Sequence, residues 1–303
     1  MKEKICNSEQ LCCARKLKYY DGREKNINII TVDNSCLSFT VLQDNGLDIY
    51  DLRHKGTNIS FLNKSGICGF VSDFNTLFSG GMLYTCGLDS LGRREGYPTH
   101  GKYHNTPAKL ISLNSDEKGV EIVGRVCDSG LFQNNLQLER TISCKYNSSV
   151  LNVKNRLTNL GYKTAEYCLL FHINLGYPMI DKGVKIDAPI IKTVCNKDNP
   201  EKRISKCLVM DDPKADLTEE CFYHKVSKGI VNVINDKLKK QVTICYDEKK
   251  LPCLVEWKSM VSGDYALGIE PSSTPLSASF FYNNIQPQES IDYDVVIKID
   301  DIK

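Results

Sequence analysis

The sequence has no long apolar run and no large net charge of either sign. No run approaches the roughly 20 residues that a membrane-spanning helix needs, and the first residues, MKEKICNSEQ, lack the apolar core of a signal peptide. The net charge is +2 over 303 residues, with both signs interspersed, whereas a nucleic acid or an anionic membrane would require a basic face. We therefore expect a cytoplasmic protein whose partner is neither a nucleic acid nor a membrane.

No Cys-x-x-Cys pair occurs, although the chain has 14 cysteines. Such pairs are typical of zinc and redox sites, so the scattered cysteines are expected to be reduced and mostly buried thiols. His100 and His104 have the i, i+4 spacing of two metal ligands on one helix face. Gly101 and Pro107 disfavour a helix there, and the sequence therefore predicts no metal site.

Motifs for nucleotide cofactors are absent as well. The chain contains neither the Gly-x-Gly-x-x-Gly dinucleotide motif nor the Gly-x-Ser-x-Gly nucleophile motif. The segment Gly96–Tyr103 matches the phosphate-binding loop except at Tyr103, which cannot supply the short hydroxyl that binds magnesium. Asn105–Pro107 then interrupts the helix that such a loop requires. The sequence predicts that no cofactor is needed.

What the chain does have is a long series of short strand patterns. They are separated by turn residues, and Asn45-Gly46 between two of them is a strong hairpin signal. Only Asp73–Ser79 has the pattern of one or two helical turns. The fold is therefore predicted to be all-β, a large antiparallel β-sandwich with few short helices. Residues 1–26 are expected to form a tail or edge segment, and residues 27–303 a single domain.

The stretch Gly80–Pro107 shows no sustained helix or strand period. Its apolar residues argue against disorder, and an ordered loop of this length is usually functional. It carries His100 and His104, which are two of the five histidines in the chain. We expect this loop to lay His100 over a binding surface that the later strands build.

Two of the predicted strands share an unusual alternation. Every second residue from Tyr167 to Tyr177 is apolar or aromatic, while the other parity becomes polar and small at His172. The strand Tyr265–Glu270 repeats this arrangement, with Gly268 preceding Glu270. Small residues beside a carboxylate leave room for a ligand against the sheet. Ordinary solvent-facing positions for the histidine and the glutamate remain the alternative.

Pro271 follows this second strand directly. Proline cannot continue a central strand, because it lacks the N–H that the ladder needs. Glu270 is therefore expected at the strand end. Predicted strands elsewhere in the chain include Cys207–Met210 and Leu276–Tyr282.

His100-Gly101, Phe171–Leu175 and Gly268–Pro271 occur in the order and at the approximate distances of the aldose 1-epimerase (galactose mutarotase-like) family, which this sequence resembles from about residue 30 onward. The resemblance implies a large β-sandwich with a sugar-binding groove on one sheet. The motifs that resemble a largely uncharacterised bacterial branch of the family are Asn45–Ile49, Cys86–Asp89 and Asn105–Pro107.

By this resemblance, Glu270 matches the general base, His172 the general acid and His100 a second histidine that contacts the sugar. The family's Asn-x-Arg substrate motif has no clean counterpart, although three charged residues occupy its neighbourhood. The predicted substrate-binding residues are Asp89, Arg93, Arg94, Asn174 and His104.

The implied reaction interconverts the α and β anomers of an aldose. A base removes the proton of the anomeric hydroxyl while an acid protonates the ring oxygen, and the opened chain rotates before it closes again. A carboxylate and an imidazolium suffice for this, without metal or cofactor. An ionised Glu270 would favour the charged form of a nearby His172, which agrees with these roles.

Two other functions remain open. A non-catalytic carbohydrate-binding protein would keep the groove and lack turnover. A sugar-phosphate epimerase would use Arg93, Arg94 or Lys102 to hold the phosphate. In each case the partner is a small sugar or sugar derivative, and a homodimer is a candidate assembly.

Overall fold

The protein, represented by a computed structural model, is described over residues 2–69, 73–276 and 282–303. Two short α-helices, α1 (Phe74–Leu77) and α2 (Pro200–Ile204), interrupt a chain that is otherwise mostly β-structure. Neither of these helices, nor any other within those ranges, has the length and apolar character to cross a membrane. The strands are β1 (Cys13–Lys18), β2 (Asn28–Asp33), β3 (Leu37–Leu42), β4 (Asp48–His54), β5 (Thr57–Asn58), β6 (Tyr84–Leu88), β7 (Lys109–Asp116), β8 (Gly119–Ser129), β9 (Asn135–Lys145), β10 (Val150–Asn159), β11 (Ala165–Leu175), β12 (Lys185–Asp187), β13 (Ile190–Cys195), β14 (Glu220–Val226), β15 (Ile230–Asn235), β16 (Lys240–Tyr246), β17 (Cys253–Val261), β18 (Asp264–Ser272), β19 (Asn283–Ile285) and β20 (Ser290–Asp301).

The strands form three antiparallel sheets. A five-stranded sheet has the order β1-β2-β3-β4-β5, and an eight-stranded sheet has the order β12-β15-β16-β20-β10-β9-β8-β7. The third sheet has the order β13-β14-β17-β18-β11-β19, and β6 also pairs with β11. We call this third sheet the groove sheet. The predicted all-β, antiparallel sandwich with few short helices is therefore confirmed.

The main core lies against the apolar parity of β11. Leu169, Phe171 and Ile173 are completely buried and belong to one cluster with residues of the eight-stranded sheet, such as Ile142. Burying one such side chain contributes about 1.5–3 kcal/mol. Because side chains alternate along a strand, the opposite face of β11 carries His172. One strand thus serves the core and the candidate site at once.

Two predictions about strands differ from the structure, and a third falls largely outside the described residues. Gly80–Pro107 is not free of secondary structure, because β6 lies within it, and all five residues of β6 are buried, so no alternation marks it in the sequence. Cys207–Met210 contributes an isolated bridge at Val209 rather than a strand. The predicted strand Leu276–Tyr282 falls largely on residues 277–281, which lie outside the described residues.

A buried ion pair joins the three sheets. Asp48 on β4 and Arg140 on β9 are 0% and 1% exposed, and Nη1 of the arginine donates to Oδ1 of the aspartate at 2.5 Å. Thr85 on β6 donates its N–H and its hydroxyl to the same carboxylate, at 2.7 and 2.6 Å. His104 lies with Nδ1 2.8 Å from the other carboxylate oxygen. We call these four residues the buried network.

The buried network keeps its carboxylate ionised. Burial alone would raise the pKa of Asp48, but Arg140 and His104 outweigh it, so that the pKa lies below its ordinary value. Nε of Arg140 also donates to Asn155 at 2.7 Å. Each charged group therefore has its partners, which a buried ion pair requires to be tolerated.

We predict that Asp48→Asn destabilises the fold by about 3–5 kcal/mol, because it leaves Arg140 as a buried charge without its counter-ion. Urea unfolding monitored by circular dichroism measures this. The exposed pair of Arg156 and Asp292, with atoms 2.7 Å apart, is the control, and Asp292→Asn should cost less than about 1 kcal/mol. An equal cost for the two variants would contradict the importance assigned to the network.

Candidate active site

His172 on β11 and Glu270 on β18 occupy opposite positions on neighbouring strands. The antiparallel register places Ile173 opposite Ile269. The same register, continued by one residue, places His172 opposite Glu270. Nε2 of His172 lies 3.0 Å from Oε1 of Glu270. The register thus brings together two predicted site residues that are nearly a hundred positions apart in the chain.

Pro271 does not end β18, contrary to the sequence prediction. The strand continues to Ser272, and Glu270 lies two residues before its end. Among the described residues, no partner on β11 is paired with Pro271, so the missing N–H of the proline breaks no hydrogen bond of that ladder. The interruption in the ladder coincides with the candidate site.

Gly268 provides the space that the pair occupies. A Cβ atom at this position would lie 2.9 Å from Cε1 of His172 and 2.9 Å from Oε1 of Glu270. It would also lie 3.1 Å from Cβ of Trp257. From the sequence, small residues at this position are expected to leave room for a ligand. In the structure, the room beside Gly268 is filled by the two site residues themselves.

Burial favours the neutral forms of both groups. His172 is 5% exposed and Glu270 is 2% exposed. Burial raises the pKa of Glu270 well above its usual range, and Glu219 adds to this shift. Burial also lowers the pKa of His172 to about 3, with His100 as a further cause. Both shifts favour a protonated carboxyl beside a neutral imidazole, whereas the sequence predicts an ion pair.

Two polar atoms of the pair lack a hydrogen bond of standard geometry. Within the described residues, these atoms are Nδ1 of His172 and Oε1 of Glu270, and both are buried. The side chain of Asn174 still acts on His172 as a hydrogen-bonding neighbour that raises its pKa. The 3.0 Å approach of Oε1 to Nε2 of His172 lacks the angle of a good hydrogen bond. Buried polar atoms are nearly always satisfied, so Oε1 of Glu270 is an unusual feature of the pair.

His100 completes the group. Its ring centroid lies 6.0 Å from that of His172. The N–H of Gly92 donates to Nδ1 of His100 at 3.4 Å, which leaves the proton of the neutral ring on Nε2. Burial lowers the pKa of His100 to about 4, so the neutral form dominates near pH 7. His100 can therefore act as a hydrogen-bond donor, and its φ of +62° is a left-handed conformation that costs a non-glycine residue about 1–2 kcal/mol.

A groove of about 770 Å³ contains these three residues. Phe78 and Trp257 flank His172, each with its ring centroid 5.4 Å from that of the histidine. Nε1 of Trp257 donates to Oε2 of Glu219 at 2.7 Å, which fixes the indole plane. Polar groups of the lining supply hydrogen-bonding positions around this aromatic surface; they include Asn63, Lys64, Asn75, Thr99, Ser259 and Asp264.

The other predicted substrate-binding residues are not all brought to the groove. Arg93 lines it. Asp89 lines a separate cavity of about 400 Å³ together with Lys102, whose Nζ lies 2.7 Å from Oδ1 of Asp128. Arg94 places its guanidinium 4.5 Å from the ring centroid of Tyr97.

His104 and Asn174 lie behind the groove rather than in it. His104 is 3% exposed, belongs to the buried network and stacks on Tyr84 with ring centroids 3.7 Å apart. Asn174 is completely buried and donates to the carbonyl oxygens of Gly81 and His172 at 2.9 and 3.1 Å. Neither residue is among those that line the groove.

Two residues that line the groove, Trp257 and Glu219, were not predicted from the sequence. The tryptophan is the only one in the chain, and this was the available signal. The parity of β17 that carries it, with Val255 and Ser259, is no more polar than the other parity, with Glu256 and Lys258. Alternation therefore could not tell which face of β17 meets a ligand.

The chain matches one family model and is similar to several solved structures. A family model described as a domain of unknown function, DUF4432, matches residues 24–295. No curated protein matches the sequence. A protein from Klebsiella pneumoniae described as a candidate aldose 1-epimerase is similar in structure, with a TM-score of 0.88 at 21% identity, over 98% of this chain and 89% of that chain.

Two further solved structures show the same architecture. A galactose mutarotase-like protein from Clostridium acetobutylicum has a TM-score of 0.72 at 13% identity, over 97% of this chain and 100% of that chain. Galactose 1-epimerase from Lactobacillus acidophilus has a TM-score of 0.68 at 13% identity, over 96% and 99%. At such identities the likeness shows the fold, which is that of galactose mutarotase-like proteins. The predicted resemblance is confirmed at this level.

We predict that Glu270→Gln raises stability, and that the gain grows with pH. A carboxyl whose folded-state pKa is raised stabilises the fold below its unfolded pKa of about 4.3, and this contribution is lost as pH rises toward the folded pKa. The amide removes that loss. Thermal unfolding of both proteins between about pH 4 and pH 8 measures the difference.

The exposed Glu121 provides the matched control, because Glu121→Gln changes the same atoms on the surface of β8. Its melting temperature should follow that of the wild type at every pH. His172, whose lowered pKa makes stability fall with decreasing pH, is present in all three proteins and so largely cancels from the comparison. A Glu270→Gln difference that stays constant across the pH range would contradict the buried, protonated carboxyl.

Proposed function

Because the chain belongs to the DUF4432 family, with a match over residues 24–295, and has His172 beside Glu270 in a groove of the mutarotase-like fold, we propose that it is a sugar mutarotase. The reaction is the interconversion of the anomers of an aldose. The observation that carries the proposal is the 3.0 Å approach of His172 and Glu270 inside a groove of about 770 Å³.

Ring opening uses the carboxyl proton of Glu270. That proton first passes from Glu270 to His172. The carboxylate then takes the proton of the anomeric hydroxyl, while the imidazolium gives its proton to the ring oxygen and the bond between this oxygen and the anomeric carbon breaks. The products are the open-chain aldehyde, a protonated glutamate and a neutral histidine, so protons and charges balance.

Ring closure reverses these steps after rotation about the first carbon–carbon bond. The protonated carboxyl and the neutral imidazole, which burial favours, form the state that receives the open chain: the imidazole accepts the proton of the attacking hydroxyl, and the carboxyl protonates the carbonyl oxygen. A base and an acid of this kind each contribute typically 10²–10⁴-fold to the rate. The buried position favours a proton exchange confined to the pair and the sugar.

The groove also suits a sugar in its size and lining. Its volume falls in the range of about 300–1,000 Å³ that is typical of small-molecule sites. The flat ring of Trp257 offers an apolar surface to the C–H groups of a pyranose, while His100 and Arg93 offer hydrogen-bond donors. Sugar hydroxyls are both donors and acceptors, so a mixed lining of this kind matches their chemistry.

A phosphorylated substrate is less well supported. Of the three basic residues that would hold a phosphate, Arg93 lines the groove. Lys102 forms an ion pair with Asp128 in the separate cavity, and Arg94 stacks on Tyr97. Lys64, which also lines the groove, lies 2.8 Å from Asp264. The groove therefore favours a neutral sugar over its phosphate.

We predict that His172→Asn and Glu270→Gln each lower anomer exchange by about 10²–10⁴-fold, because each removes one proton-transfer group. Saturation-transfer NMR on a panel of aldoses measures exchange with wild-type protein and with both variants. Tyr162→Phe, at an exposed position 92% accessible to solvent, serves as the control and should keep the wild-type rate.

The outcomes separate the candidate functions. Exchange that persists at the wild-type rate in both variants would remove the acid–base pair from the mechanism. Binding of a sugar without exchange on any member of the panel would identify a carbohydrate-binding protein. Tighter binding of a sugar phosphate than of the matching free sugar would redirect the proposal to a sugar-phosphate epimerase.

A further inference from the structure

A second group of reactive side chains lies behind the floor of the groove. Cys207, His224 and Glu256 each offer one ligand atom, and these atoms all lie within 4.8 Å of one another. The three residues are 2%, 5% and 1% exposed. Val255 and Trp257 line the groove, so alternation along β17 directs Glu256 to the opposite face of the sheet. This group is distinct from the candidate active site.

One oxygen of the group lacks a partner. Oε2 of Glu256 lies 2.9 Å from Nε2 of His224, but Oε1 makes no hydrogen bond within the described residues. A buried carboxylate oxygen without a partner is costly and rare in folded proteins. It therefore indicates that a further group belongs beside it.

His224 is oriented as a metal ligand would be. Its Nδ1 lies 2.9 Å from the hydroxyl oxygen of Thr193. With a metal ion on Nε2, the proton of the neutral ring would lie on Nδ1, where the hydroxyl of Thr193 can accept it. Histidines that bind a metal usually donate their second ring N–H to such an oxygen, which fixes both the tautomer and the ring plane.

Lys258 holds the third ligand in place. Its Nζ donates to the carbonyl oxygens of Lys206, Cys207 and Val209, at 3.0, 2.7 and 2.7 Å. All three ammonium protons are used in this way, so the lysine pins the segment that carries the thiol.

We propose that Cys207, His224 and Glu256 bind a zinc ion. Sulfur, nitrogen and oxygen donors together suit zinc, whereas calcium and magnesium take oxygen ligands. A thiolate and a carboxylate also supply the negative charge that offsets Lys258 and the ion. The ion ties the segment around Cys207 to β14 and β17 and so supports the strand that carries Trp257. The proposal departs from the sequence prediction of no metal site.

The alternative is a simple hydrogen bond between His224 and Glu256, with Cys207 packed as a small apolar residue beside Cys195 and Phe222. The experiment uses the full chain, purified without a metal-affinity tag, and measures metal by mass spectrometry. The wild type should carry a single zinc ion per chain, as purified or after zinc addition and gel filtration. Cys207→Ala and Glu256→Gln should weaken zinc binding by about 10-fold or more.

Cys195→Ala is the matched control, because Cys195 is a buried cysteine of the same cluster and should leave the zinc content unchanged. A second measurement uses wild-type protein alone, in case a variant does not fold. Cobalt added to the metal-free wild type should give the sulfur-to-cobalt charge-transfer absorption of thiolate ligation. Wild-type protein that takes up no zinc and gives no such absorption overturns the proposal, as does full zinc content in Cys207→Ala.

Discussion

The buried ion pair between Asp48 and Arg140 is the interaction on which the arrangement of the three sheets depends. The aspartate lies at the start of β4, the arginine comes from the eight-stranded sheet, and Thr85 of β6 binds both. Removing one charge from a buried pair leaves the other without compensation. A sliding of any sheet would separate these groups, so the network selects one relative position of the sheets.

Strand β11 connects the candidate site to this fixed arrangement of the sheets. That strand pairs with β6 on one side and with β18 on the other, while its apolar parity is sealed in the main core. His172 can therefore move little relative to Glu270. The burial that fixes the pair also favours the neutral form of each member. Geometry and protonation follow from the same packing.

Several features were predictable because they depend on local chemistry. The parity of Tyr167–Tyr177 distinguished a core face from a face with His172, and Gly268 before Glu270 indicated a close approach to the sheet. Trp257 was not predictable, because both parities of its strand carry polar residues. Nor was β6, since a strand buried on both faces shows no alternation. His104 was predicted to bind sugar, but in the structure it contacts Asp48. Because Asp48 is distant in sequence, no local pattern indicated this contact.

The sequence by itself determined the all-β class, the hairpin at Asn45-Gly46 and the polar parities that carry His172 and Glu270, because turn preference and side-chain alternation act over a few residues. Only the tertiary structure decided that His172 faces Glu270 at 3.0 Å, that His104 belongs to the ion pair behind the groove, and that Cys207, His224 and Glu256 converge. These outcomes depend on strand register and on burial. Both arise from contacts between segments that are distant in the chain, and no local pattern encodes them.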